Sequence, residues 1–299
     1  MIELWHVGLV RKPIAAFLTP DVLAQGKGDI TWLPMPGSYR FLADPFPVAT
    51  SDGLTLFVEA YDYRTRRGEI HYYTYDHETR LRTHGLALAT PFHLSYPQII
   101  RDNDSVYMLP EAHKSGALTL YRAERFPDIW TPVAQLLNQP AIDATVVQHQ
   151  GRWWMFYALP GAAGRAMRQL HIAYADALTG PWYGHAGNPV REGFESSRPG
   201  GNAFLHNGAL YLPMQDCVGG YGRGIHILHI NQLTPEAFSA ERVITLSGMG
   251  LLPEYDDGLH TLSGDGDVTA IDVKRMYNSP MNAWIKFEHR IRRLFRSAN

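Results

Sequence analysis

Phe41-Leu42-Ala43-Asp44-Pro45-Phe46-Pro47 is the stretch that decides the fold, because its local grammar returns four more times downstream. It continues through Val48 to Thr50, turns at Ser51-Asp52-Gly53, and climbs through Leu54-Thr55-Leu56-Phe57-Val58 to Glu59. A third run, Gly68-Glu69-Ile70-His71-Tyr72-Tyr73-Thr74-Tyr75, is apolar at alternate positions. Short alternating runs separated by turn residues are the signature of antiparallel strands.

The second unit opens at Leu94-Ser95-Tyr96-Pro97, turns at Asp102-Asn103-Asp104 and rises to Pro110-Glu111, with Leu118 to Ala123 as its third strand. The third runs from Ile142-Asp143 through Trp153 to Ala158 and Leu170 to Ala175. The fourth runs from Arg198-Pro199-Gly200-Gly201 through Leu210 to Gln215 and Ile225 to Ile230. The fifth has Gly258 to Leu262 and Val268 to Asp272. From Asp44 to Tyr96, Asp143, Arg198 and His260 the steps are 52, 47, 55 and 62 residues. A repeat near 50 residues with three or four strands per unit predicts a β-propeller, and five units predict five blades. The fifth is one strand short, and the N-terminal run Ile2 to Val10 supplies it and closes the ring. The expected fold is therefore all-β: a five-bladed β-propeller over residues 1–278, followed at 279–299 by a short amphipathic helix.

Composition narrows the function classes. A formal charge of -2 with 19% charged residues argues against a nucleic-acid surface and against disorder. The single cysteine, Cys217, excludes an internal disulfide framework and any multi-cysteine metal site. The N-terminus carries Glu3 where a signal peptide wants basic residues, and no apolar stretch spans a bilayer, so the expected compartment is the cytoplasm.

In a propeller blade the start of the innermost strand and the end of the second share one face of the ring. Asp44, Tyr96, Asp143, Arg198 and His260 open the inner strands, and Glu59, Glu111 and Gln215 end second strands, so these eight are expected at the mouth of one central funnel. Converging acids are costly unless paired or used. Separated carboxylates at a pocket floor are also what glycoside chemistry needs: an acid for the leaving oxygen, a base for the nucleophile, and neighbours that push their pKa values apart. Gly200-Gly201 reads as tight inner-strand packing, since no helix follows to make a phosphate loop. The Cys217 thiol has no activating motif and reads as structural.

Ala43-Asp44-Pro45-Phe46, Leu94-Ser95-Tyr96-Pro97, Met108-Leu109-Pro110-Glu111, Leu120-Tyr121-Arg122-Ala123, Gly180-Pro181-Trp182, Arg198-Pro199-Gly200-Gly201 and Gln215-Asp216-Cys217 with Tyr221-Gly222-Arg223 stand in order. Together they resemble the N-terminal propeller domain of the plant glucosamine inositolphosphorylceramide transferases and its stand-alone bacterial relatives. In the plant proteins the recognised glycosyltransferase domain lies in a separate C-terminal half. The resemblance therefore implies a glycan context without assigning an activity.

A looser resemblance is to five-bladed propeller glycosidases of the arabinanase, xylosidase and fructosidase type. There a blade-opening Asp-Pro carries the general base and an Ile-Asp about two blades later tunes pKa; Asp44 and Asp143 match them. Where the acid is due, the chain reads Glu192-Gly193-Phe194-Glu195, an imperfect match. In some of those families a final-blade histidine helps hold a calcium ion in the channel, and His260 resembles it. The residues themselves imply no cofactor.

After Pro280, Trp284, Phe287, Ile291, Leu294 and Phe295 recur at helical spacing, and residues 281–299 hold five bases and one acid. That is the composition of an interfacial membrane anchor, and equally of a helix that packs on the propeller or a partner. The expectation is a carbohydrate-active protein of surface-glycan or glycolipid metabolism, performing glycosyl transfer or glycoside cleavage. Asp44 is its base, Asp143 its tuning carboxylate, and Glu111 or Glu195 its acid, with Glu111 alternatively a brace for Arg198. Glu59, Tyr96, Arg198, Gln215, Asp216 and His260 bind substrate. The partners expected are a glycan, sugar nucleotide or lipid-linked sugar, and the inner face of the membrane through residues 281–299. The alternative is a non-catalytic glycan-binding or scaffolding module beside a separate glycosyltransferase.

Overall fold

The computed structural model describes residues 1–162 and 164–279. The helix expected over 279–299 falls, apart from Ser279, outside the described residues. Among the described residues the strands form five sheets, one for each repeat. The first blade is Arg40–Thr50, Gly53–Asp62, Arg67–Tyr75 and Leu81–Leu88, and the second is Ser95–Asp102, Ser105–Glu111, Leu118–Arg125 and Ile129–Leu137. The third blade has Ile142–His149, Arg152–Ala158 and Gln169–Ala175, with Tyr183–Gly184 and Arg191–Glu192 both pairing with that last strand. In the fourth, the inner strand is split into Arg198–Pro199 and Phe204–His206, ahead of Ala209–Asp216, Gly224–Leu233 and Phe238–Leu246.

The fifth blade joins the two ends of the chain. Ile2–Val10 lies antiparallel to Val268–Tyr277 in unbroken register from Ile2 against Tyr277 to Val10 against Thr269. Gly258–Asp265 lies inside this pair and Ile30–Trp32 outside it. Residues facing neighbouring blades are apolar, and between the first two blades Val48, Phe57, Ile70, Leu94 and Met108 share one cluster. Each such side chain contributes about 1.5–3 kcal/mol on burial.

One local feature places the site. Every inner strand loses register at the same level: between Ala43 and Phe46, Ser95 and Gln98, Ile142 and Thr145, and Leu259 and Leu262, with the split at Gly200-Gly201 in the fourth blade. A bulge re-aims a side chain and leaves a backbone N–H unpaired. Asp44, Tyr96 and Asp143 sit in these bulges with φ of 49°, 46° and 49°, a conformation uncommon outside glycine. Gly201 holds the fourth position at φ 136°, where a Cβ would lie 1.8 Å from the Leu262 carbonyl oxygen. Close packing, and no phosphate loop, explains that glycine.

The orphaned N–H groups are taken up from blade to blade. Asp272 accepts the Asp44 N–H at 2.9 Å, and Asp44 in turn accepts the Tyr96 N–H at 3.2 Å. The Tyr96 hydroxyl accepts the Gly201 N–H at 2.7 Å. Lower down, Gln98 bridges both backbone groups of Val146, and Asn202 does the same for Gly264. These side chains replace the ladder that adjacent inner strands in a ring do not form.

Candidate active site at the centre of the ring

The bulges turn Asp44 and Asp143 toward the axis, and the second strands of the first two blades deliver Glu59 and Glu111 beside them. Asp44, Glu59, Glu111, Asp143, Gln215 and His260 do gather, but under cover and away from any open mouth: each is at most 6% exposed. Solvent reaches the rim at Arg198 and His113, whose side chains are 13% and 32% exposed.

Two subclusters divide the charge. In one, Arg198 Nε donates to Asp143 Oδ2 at 2.6 Å and Gln215 Nε2 donates to the same oxygen at 2.8 Å. The Arg198 guanidinium lies 4.8 Å over the Tyr221 ring. Glu111 is hydrogen-bonded to Asp143 and, at 2.5 Å, to His113 Nδ1. Burial pushes the Asp143 carboxyl up to about 8; Arg198 opposes this, and the Glu111 and Asp44 charges add to it. Glu111 is held below its ordinary value: burial would raise it, but His113, Arg198 and the Asp143 hydrogen bond outweigh that. The two carboxyls are thus pushed in opposite directions and titrate as one coupled pair.

In the other subcluster, Asp44 Oδ1 accepts the Thr261 hydroxyl at 3.0 Å and lies 3.4 Å from His260 Nε2. On its far side His260 places Nδ1 2.8 Å from Asp272 Oδ1. Asp272 also accepts the N–H groups of His260 and Thr261. Glu59 stands between the subclusters. Burial lifts its pKa well above the ordinary range, and Asp44, Glu111, Asp143 and Asp272 push it further, so it keeps its proton. Its nearest basic group is His93 Nε2, 3.7 Å away. Because His93 Nδ1 accepts the Gly68 N–H, the proton of this imidazole sits on Nε2; burial lowers its pKa to about 4.

Three sequence-derived site residues are placed differently from the rest. The Tyr96 hydroxyl, expected to meet substrate, is spent on Thr145 Oγ1 at 2.7 Å and on both backbone groups of Gly201. Tyr96 is fully buried and plugs the ring just beneath the acids. Glu195 is exposed, and among the described residues no hydrogen bond or ion pair joins its carboxylate to the cluster. It belongs with Asp216 to a separate group around His226, whose Nε2 is 3.8 Å from Asp216 and whose Nδ1 meets the Glu195 carbonyl. Conversely, Asp272, His93, His113, Tyr221 and Trp5 are part of the site and were not picked out from sequence. Asp272 had a signal: a lone acid between Ile271 and Val273 in a buried strand.

Fold and site define a five-bladed propeller with an acid-rich axis, and the propeller fold is shared with solved glycoside hydrolases. A family 117 glycoside hydrolase from the marine bacterium Zobellia galactanivorans superposes with a TM-score of 0.56 at 13% identity, over 85% of this chain and 95% of that one. A GH43 β-xylosidase/α-arabinofuranosidase from a compost microbial metagenome gives 0.55 at 13% identity, over 83% and 94%. At such identities the likeness is one of fold.

The chain belongs to the family described as glucosamine inositolphosphorylceramide transferase 1, N-terminal, whose model matches residues 33–250. It is 38% identical over 213 residues to glucosamine inositolphosphorylceramide transferase 1 of Oryza sativa subsp. indica, covering 69% of this chain and 28% of the rice protein. The namesake from Arabidopsis thaliana is 37% identical over 203 residues, covering 67% and 26%. The chain thus spans roughly a quarter of the length of these curated relatives. The family match takes in the first four blades and ends before His260 and Asp272.

Proposed function

We propose that the protein is carbohydrate-active and catalyses glycosyl transfer or glycoside cleavage at the acid cluster, with Glu59 as proton donor and Asp44 as the ionised partner. One observation carries this reading. Five carboxyls, Asp44, Glu59, Glu111, Asp143 and Asp272, are electrostatically coupled and share two deeply placed cations, Arg198 and His260. Charge balance then leaves protonated and ionised carboxyls side by side, which is the requirement for protonating a leaving oxygen while activating an incoming hydroxyl or water.

The remaining roles follow from position. Asp143 and Glu111 hold a reserve proton and set the field felt by Glu59. Arg198 presents its outer guanidinium nitrogens at the rim, beside Tyr221, where sugar hydroxyls or a phosphate would meet them. A lipid-linked sugar or sugar nucleotide is the substrate class in keeping with the family, and residues 281–299 would hold the protein on the inner face of a membrane. A non-catalytic glycan-binding module is the second reading. It is favoured by one fact: both oxygens of Asp44 already accept hydrogen bonds, at 3.0 and 3.2 Å.

The test is a thermal-shift screen of glycans and sugar nucleotides on the wild type, Glu59→Gln and Asp44→Asn in parallel, with product analysis on each hit. Turnover by the wild type that is lost in both variants supports the enzyme. Binding without turnover, unchanged in both, makes the protein a recognition module and overturns the assigned roles.

A further inference from the structure

Asp44, His260 and Asp272 each offer a ligand atom within 4.8 Å of the others, the spacing of a cation site. The donor set does not fit one. Calcium takes 6–8 oxygen ligands, and the oxygens here are already engaged. Asp272 Oδ1 accepts the N–H groups of His260 and Thr261 together with His260 Nδ1, and Oδ2 accepts the Asp44 N–H. Asp44 Oδ1 takes the Thr261 hydroxyl and Oδ2 the Tyr96 N–H. An ion drawing on these lone pairs would release the bulge N–H groups that hold the fifth blade to the first.

The imidazole supplies what the carboxylates need. Nδ1 lies 2.8 Å from Asp272 and Nε2 lies 3.4 Å from Asp44, so each ring nitrogen faces a carboxylate oxygen. A neutral imidazole donates from one nitrogen only, and the imidazolium from both. Its surroundings suit a cation: Trp5 stacks on the ring with centroids 3.7 Å apart and planes 18° from parallel, and Tyr221 meets it edge-on at 5.3 Å. Burial works against the charge, and Asp272 and Asp44 outweigh it.

We infer that the axial cation of this propeller is its own side chain: His260, protonated on both nitrogens and clamped between Asp44 and Asp272, fills the position, and the grouping takes no divalent metal. Where Asp44 acts as proposed above, this charge also opposes the burial that raises its pKa. That clause rests on the functional reading; the inference itself does not.

Nitrogen-detected NMR of the full chain, labelled at histidine and freed of metal by chelation, tests it without any substrate. The His260 signals, assigned through their coupling to neighbouring buried protons in the wild type, are expected to show two protonated ring nitrogens at pH 7. They are expected to stay in place when calcium and then zinc are added to saturation. A single protonated nitrogen overturns the inference, as does a His260 nitrogen that shifts or loses its proton on addition of either ion. Because the readout is a protonation state, it stands whether or not the protein turns over a glycan.

Discussion

Arg198 Nε and Asp143 Oδ2 lie 2.6 Å apart, a bond that ties the split inner strand of the fourth blade to the bulge of the third. Asp143 is buried and the Arg198 side chain is only 13% exposed, so removing the arginine leaves the carboxyl without its cation. Arg198→Ala is expected to cost about 3–5 kcal/mol in urea unfolding. Arg198→Lys keeps the charge but loses the planar contact over Tyr221, and is expected to recover only part of that cost. Equal stability of the alanine variant and the wild type would show that the pair contributes nothing net.

Tyr96→Phe removes the hydroxyl that joins three blades while keeping the ring that packs edge-on against Phe46 at 4.9 Å. The Gly201 N–H loses its partner, at about 1–3 kcal/mol, while the Thr145 hydroxyl keeps the Gly201 carbonyl at 3.1 Å. Affinity for any ligand found in the screen is expected to stay within about twofold of wild type, because the hydroxyl faces the plug. Weakened binding at unchanged stability would return Tyr96 to the substrate-contacting set.

Stability is expected to fall as pH rises from acid toward about 8. Asp143 ionises near 8 in the fold against 3.8 unfolded, so the folded chain resists losing this proton and stability declines as pH climbs between those values. His260 acts in the same sense: its pKa is raised above 6.5, and its contribution, complete below 6.5, is lost as pH rises through the folded value. His93, lowered to about 4, works the other way, stabilising above 6.5 and failing as pH falls through 4. Unfolding free energies from pH 5 to 9 should drop as pH climbs toward about 8, by up to about 1.4 kcal/mol per unit for each raised group between its unfolded and folded values. Asp143→Asn, whose amide can donate to Glu111 and accept from Arg198, should show a shallower decline. A flat wild-type profile would place the shared proton elsewhere.

Glu59→Gln exchanges a protonated carboxyl for an amide of the same shape. If Glu59 carries its proton, the stability of this variant at pH 7 should lie within about 1 kcal/mol of wild type. A large stabilisation would instead mean that the wild type buries an unpaired charge there, and Glu59 would not be the donor.

Legibility from sequence followed burial. The inner strands of most blades are buried almost end to end because both the axis and the neighbouring blade press on them, and their turns at Ser51-Asp52, Asn103-Asp104 and Asn207-Gly208 are visible in the chain. The outermost strands carry little pattern because they face water: Leu81–Leu88 has one buried residue, and Ile129–Leu137 has two. At the site, Asp44, Asp143, Glu59 and Glu111 could be placed by counting strand positions. Asp272 could not, since it lies opposite the bulge while Glu59 and Glu111 lie one step past it. His93 and His113 come from connections between strands, where periodicity is silent.

The seam of the fifth blade also sets a timetable. Trp5 stacks on His260 and Asp272 holds the Asp44 N–H, so an earlier and a much later part of a growing polypeptide meet at the acids. The first four blades can form during synthesis, but the charged centre is complete only after the strand ending at Tyr277 has left the ribosome and captured the waiting N-terminal strand. Until then Asp44 has no Asp272 holding its N–H. A chain cut short before the last strand would be propeller-like over most of its mass yet lack the Asp272 carboxylate that joins Asp44 to His260.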